Sequence, residues 1–541
     1  MKRGLLKNFL ALLVILGLVS ACNLSYFEDA EFGDFVWDPS LAVPIGEITY
    51  TIDELFEELN DAGAQVGVNN ENIVTLSYTE SLQSQTASAF MTILDQNFAG
   101  NLQAGVDINN PGVSTTVTVS ERFEYEISQR NQEEYDSIQF SSGQFDMTLT
   151  SDLDADINFS MRVFSLENKT SENPMLFTGT LSPSSPVFNG TRSLSNFNGE
   201  FTRDADGNIV SNKVVFELEY EIMVEPGSQV NSTDAVSFDV QLSNAEFETV
   251  YGDVGTQGLD VNFQVVNLDF FRDFDTGGIT FSEPVFSFVF DNGFGFPLGI
   301  DFRNITAIGN EGQIVPLSGT ATQEPTILTA PTIENIGTIE TTNFELNSSN
   351  SNIADLLASQ PRKVIMEVNA STNPAEGPDQ YNFVDVNSLL DVSVQVDLPL
   401  IANINNLVAE ERVDFNNGTD LEEAKRLVLR VITENELPLG GNIELQFQDA
   451  SNNVVFTVTE RPVFEAAPIA SGDRTTGVAT NTVDVEFTDA DIRAVENATK
   501  IKVLVRLATT DASSGNPVKF FNDYELKIKL AAQADVEIGS N

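Results

Sequence analysis

The chain has 541 residues, with 27 Lys and Arg against 81 Asp and Glu, a net charge of −54, no His, one Cys, one Trp and 39 Phe. Without His there is no Ser-His-Asp triad, Cys-His pair or HExxH zinc site, and one Cys allows neither an intrachain disulfide nor a thiolate cluster. So acidic a chain offers no basic face to nucleic acid, and about 150 residues per domain predicts three or four domains.

Met1 to Asn8 carries Lys2, Arg3 and Lys7 and no acid, and Phe9 to Val19 is almost wholly apolar. That run is short of the roughly 20 residues a membrane-spanning helix needs, and with the small residues after it reads as a secretory signal peptide over 1–21. Val19-Ser20-Ala21-Cys22 resembles the lipobox of bacterial lipoproteins. The resemblance implies that Cys22 becomes the first mature residue and carries the lipid that holds the protein on a membrane. Residues 22–40 then form an acidic tether containing Trp37, and Glu28, Asp29 and Glu31 within it resemble the acidic stretch that marks some lipoproteins for the outer face of the outer membrane. The expected location is thus the bacterial outer membrane, facing outward, with the periplasmic face as the alternative.

Thr51-Ile52-Asp53-Glu54 resembles a capping box ahead of Leu55, Phe56 and Leu59, so a helix is expected there. Ser351 to Ser359 and Asp489 to Ala498 are further short helix candidates, and Ser81 to Gln96 fits either state. Most of the chain alternates with period two. In Val214 to Val224, Phe216, Leu218, Tyr220 and Ile222 face one way and Glu217, Glu219 and Glu221 the other. Gln144 to Thr150, Ile157 to Phe164, Val236 to Leu242, Ile443 to Phe447, Val483 to Phe487 and Glu525 to Leu530 repeat the pattern between Gly- and Pro-rich turns. The expected fold is mainly β: two or three tandem antiparallel β-sandwich-like modules with a few short helices. The modules are placed at 41–225, 226–330 and 331–541, with Ser318 to Pro331 able to join two lobes and Pro361 to Pro378 a loop-rich zone. One internal echo stands out. Phe286, Phe288 and Phe290 lead to Asn292 and Phe296-Pro297-Leu298-Gly299, and Leu427, Leu429 and Val431 lead to Asn435 and Leu437-Pro438-Leu439-Gly440. Such an echo fits a duplicated β module or ordinary turn chemistry.

A metal site without His or spare Cys must use oxygen, which selects Ca²⁺ or Mg²⁺. Asp204, Asp206 and Asn208 surround Gly207 at alternate positions, a candidate Ca²⁺ loop that also reads as a hairpin turn; no other cofactor is expected. Asp152, Asp154 and Asp156 would share one solvated face of a strand. A carboxylate pair could serve a glycosidase, but 81 acids make such pairs unavoidable, so no catalytic residue is assigned and catalysis is not expected. Phe281, Phe286, Phe288, Phe290, Phe294 and Phe296 crowd one region, as a filled core or as an apolar cavity for a hydrophobic ligand. Asn168, Asn189, Asn304 and Asn417 are read as turn chemistry. The leading reading is a non-catalytic surface binding or scaffold lipoprotein. Its partners are the membrane through Cys22 and an envelope protein or extracellular ligand of unknown identity, with no nucleic acid. The alternatives are a carrier of hydrophobic ligand and a carbohydrate-binding or carbohydrate-active module of a nutrient-uptake system. A Phe-lined void would favour the carrier; a surface cleft with an exposed aromatic and two carboxylates would favour the sugar reading.

Overall fold

A computed structural model describes residues 40–52, 65–268, 276–375, 380–414, 424–469, 473–495 and 498–536, apart from residues 83, 110, 132, 310 and 311. Cys22, the tether and the capping box beyond Ile52 lie outside the described residues. Among the described residues strand accounts for 64% and helix for 7%, and the sheets are antiparallel, as the period-two alternation predicts. In strand Lys213–Val224, Phe216, Leu218, Tyr220 and Ile222 are fully buried, while Glu217 receives Arg122 and Arg162 at 3.0 Å each.

The widest sheet has ten strands among the described residues. Its longest members, Glu134–Ser151 and Ala235–Asp253, pair along their whole lengths, with register shifts between Ser243 and Thr249 and at Gly252. The sheet curls until Tyr125 Oη donates to Ala99 O at 2.8 Å, and the enclosed space is filled by rings. Phe98 meets Phe216 at 5.6 Å between centroids, Phe123 meets Phe238 at 4.8 Å, and Phe159 meets Phe188 at 4.9 Å. Gly190 is required here because a Cβ would stand 2.7 Å from the Phe177 ring.

The rest of the chain is one plan built twice. In repeat A, Val285–Asn292 lies between Glu340–Leu346 and Leu389–Pro399, while Pro361–Thr372 lies between Leu298–Gly309 and Gly258–Asn267. In repeat B, Ala424–Asn435 lies between Ala479–Thr488 and Glu525–Val536, while Lys500–Thr509 lies between Leu439–Gln448 and Ile401–Asp414. Each repeat places a short helix, Ile353–Ala358 or Asp489–Val495, at the same point in this order. Both helices match their expected segments, whereas the described part of Ser81 to Gln96 holds the short strand Gln85–Thr86 and then the single turn Ala87–Phe90.

Each repeat is completed by a strand from the start of the chain. Val74–Ser81 pairs with Leu389–Pro399 of repeat A, and Ser40–Thr51 pairs with Glu525–Val536 of repeat B. The chain therefore climbs through repeat B and repeat A, builds the wide sheet, and returns through A and then B. This grouping differs from the consecutive ranges 41–225, 226–330 and 331–541, because the first strands are donated to units completed more than 300 residues later. Ser318 to Pro331 lies within repeat A, where Thr326–Leu328 pairs with Leu298–Gly309, and the segment expected to be loop-rich begins with strand Pro361–Thr372. Asp152, Asp154 and Asp156 do not share a strand face. Residues 152–155 form the turn before strand Asp156–Asn168, with Leu153 and Ala155 buried and Asp152 Oδ1 accepting from Ala235 N.

Candidate functional site: an acceptor-lined cleft at the joint of the wide sheet and repeat A

Repeat A is stapled to the wide sheet. Strand Asn382–Asp385 leaves repeat A and adds to the edge of Ala235–Asp253, so that Tyr251 faces Phe383 and Gly252 faces Asn382. Thr372 Oγ1 donates to Gly255 O at 2.7 Å and accepts from Gln257 N at 2.9 Å. At the matching position of repeat B, Thr509 Oγ1 makes such a pair of bonds within the repeat, to Ile404 O and from Ile404 N at 3.2 Å each.

A cleft of about 480 Å³ opens at this joint, lined by Glu134, Asp136, Gly252 and Asp253 of the sheet and by Asn373, Pro374, Ala375, Gln380, Tyr381 and Asn382 of repeat A. Glu134 and Asp136 share a face because strand side chains alternate, and Tyr135 between them is buried. Gly252 has φ of 149°, and a Cβ there would collide with the Glu134 carbonyl, so only glycine lets the two strands meet under the cleft floor.

The amide donors of the cleft are already spent. Asn373 Nδ2 donates to Asn382 Oδ1 at 2.6 Å, Asn382 Nδ2 to Gln380 O at 2.9 Å, and Gln380 Nε2 to Gly295 O at 3.0 Å. The acceptors are only partly used: Glu134 Oε2 accepts from Ser211 Oγ at 3.0 Å, and Asp253 Oδ1 accepts from Gly255 N at 2.7 Å and from Asn373 Nδ2 at 3.3 Å. No Lys or Arg pairs with Glu134, Asp136 or Asp253 among the described residues. Tyr381 overhangs the cleft with 46% of its surface exposed. Desolvation first, and then the neighbouring Asp136 carboxylate, raise the phenol above its ordinary value, so it stays protonated. Partial desolvation, Glu167 and Asp136 likewise hold the nearby Glu200 carboxyl above the usual range. The arrangement can accept hydrogen bonds from a donor-rich ligand and lay a ring face against it.

The residues singled out by sequence lie elsewhere. Asp204 Oδ1 accepts from Asp206 N at 3.0 Å and Asn208 N at 2.7 Å, and Oδ2 accepts from Asn208 Nδ2 at 2.8 Å, which lowers the Asp204 carboxyl below its usual range. Arg203 and Arg122 donate to the loop carbonyls of Gly207 and Ala205. Asp449 closes the same kind of loop on Ser451 N, Asn453 N and Asn453 Nδ2. No group of three acidic, His or Cys side chains stands close enough to share a metal among the described residues. The Phe run is buried in contact: Phe302 stacks on Phe344 at 4.5 Å and meets Phe288 at 5.0 Å, and Phe90 meets Phe294 at 4.3 Å. Asn168 caps a turn through Thr170 N and Ser171 N, while Asn189 and Asn304 lie on strands, away from the expected turns.

Nothing in the spacing of Glu134, Asp253 and Tyr381 announces the cleft, because they are more than 100 residues apart and only the staple of Asn382–Asp385 unites them. No family profile and no curated protein matches the sequence. Among solved structures, a provisionally assigned secreted protein of Parabacteroides distasonis aligns over 92% of this chain and 99% of its own, at 11% identity and a TM-score of 0.27. The VP2 subviral particle of infectious bursal disease virus aligns over 90% of this chain and 86% of its own, at 8% identity and a TM-score of 0.14. At such scores the architecture rests on its own strand pairing.

Proposed function

We propose that this is a lipid-anchored binding protein on the outer face of a bacterial outer membrane, and that the cleft under Tyr381 holds a carbohydrate. The observation that carries the ligand class is a cleft with spent donors, spare carboxylate acceptors and one exposed aromatic ring. A sugar supplies many O–H donors and an apolar C–H face, which suits those acceptors and that ring. The Phe rings fill their own cores, which supports surface binding over a hydrophobic carrier. The location rests on Val19-Ser20-Ala21-Cys22 and the acids that follow it.

A glycan array probed with the mature protein tests the ligand class. Tyr381→Ala, which removes the platform but leaves the staple, should abolish the signal. An array with no signal, beside saturable binding of an oligolysine peptide, would reassign the carboxylates to a cationic partner.

A further inference from the structure

Strand register orders the units end to end. In repeat B, Thr509, Leu439 and Glu525 lie at the end that meets repeat A, where Val74 N donates to Phe520 O at 3.0 Å and Phe520 N to Leu400 O at 3.0 Å. Lys500, Gln448 and Asp535 lie at the opposite end, because Leu439 pairs with Thr509 and Gln448 with Lys500. Ser40 pairs with Asp535, so the chain enters the described structure at that free end of repeat B, beside the turn at 449–453. In the wide sheet, Glu134 and Asp253 mark the end stapled to repeat A. Ser151 and the turn at Ser182–Ser185 mark the far end, since Thr150 pairs with Val187. Strand Glu134–Ser151 alone spans up to ~60 Å between them.

We infer that the free end of repeat B faces the membrane and that the wide sheet stands farthest from it. The inference rests on acylation of Cys22. From Cys22 to Pro39 the chain has 18 residues, a reach of at most ~60 Å, and it joins the molecule at the repeat B end. Charge is graded along the same axis. Residues 40–51 and 401–541, which build repeat B, hold 13 Lys and Arg against 24 Asp and Glu, a net −11, whereas residues 52–400 hold 11 against 52, a net −41, and the tether itself adds five acids. An anionic lipid surface repels the second part far more than the first. The order raises the cleft above the bilayer by the length of both repeats.

Acylated full-length protein with Ser451→Cys in the repeat B turn, or Ser184→Cys in the far turn of the wide sheet, is labelled with a fluorescent donor. It is then bound to vesicles of phosphatidylcholine and phosphatidylglycerol that carry a headgroup acceptor. Energy transfer should be several-fold stronger from position 451 than from 184. Protein that floats with the vesicles but transfers equally from both, or more from 184, overturns the orientation. Protein that fails to float overturns the anchor, and the orientation with it.

Discussion

Asn292 and Asn435 make the same three hydrogen bonds at matching corners of the two repeats. Each side-chain oxygen accepts from the backbone N–H two residues on, Phe294 at 3.0 Å and Leu437 at 2.9 Å. Each amide nitrogen donates to the carbonyl four residues on, Phe296 at 3.2 Å and Leu439 at 2.7 Å, and to a distant one, Thr329 at 2.9 Å and Glu465 at 2.8 Å. Both residues are fully buried, so no water can replace these bonds. With the repeated strand order and the paired backbone bonds of Thr372 and Thr509, the corners identify an internal duplication.

Asn435→Ala should therefore destabilise the protein by about 2–3 kcal/mol, since it removes three hydrogen bonds and leaves the buried Leu437 N–H without its partner. Asn292→Ala should cost a similar amount. Chemical denaturation followed by fluorescence checks both; a change under ~0.5 kcal/mol in either would show that its corner relaxes freely.

Gly190→Ala should cost about 1–3 kcal/mol, because the new methyl drives into the Phe177 and Phe188 rings. Gly112→Ala, where nothing lies within 4 Å, is the control and should be nearly neutral. Equal melting temperatures for the two variants would mean that the ring cluster is loosely packed.

Much of the fold was legible in the sequence because half-buried strands write their two faces directly into alternation, as Lys213–Val224 does. The duplication showed through the Asn292 and Asn435 corners, where a buried amide fixes both the residue and its spacing. Strand donation was illegible: Ser40–Thr51 reads the same whether its partner is near or, as here, Glu525–Val536. The cleft was hidden for the same reason, since Tyr381 meets Asp136 only after the sheet and repeat A are joined. The Asp204 loop was visible as a motif, but its oxygens point inward to its own backbone.

Calcium should shift the melting temperature of the wild type and of the double variant Asp204→Asn with Asp206→Asn by the same amount. The Asp204 oxygens already serve Asp206 and Asn208, and Arg203 and Arg122 crowd the loop with positive charge. A larger shift in the wild type at matched ionic strength would show that the loop binds Ca²⁺.

Glu200→Gln should stabilise the protein at pH 7 and leave it unchanged below about pH 4. The folded pKa of Glu200 lies above its usual 4.5, so the native state holds that proton more tightly than the unfolded chain does. Wild-type stability consequently falls as pH rises from 4.5 through the raised value, and the Gln variant lacks that loss. Parallel pH profiles for the two proteins would mean that Glu200 titrates normally.

The central claim, an anchored protein whose cleft binds sugar, is tested most directly by fluorescent glycan retention on intact cells expressing matched levels of wild type, Tyr381→Ala or Cys22→Ala. Retention is expected of wild-type cells only, with the Cys22→Ala protein no longer held at the cell surface. Retention by Tyr381→Ala cells equal to wild type would contradict it.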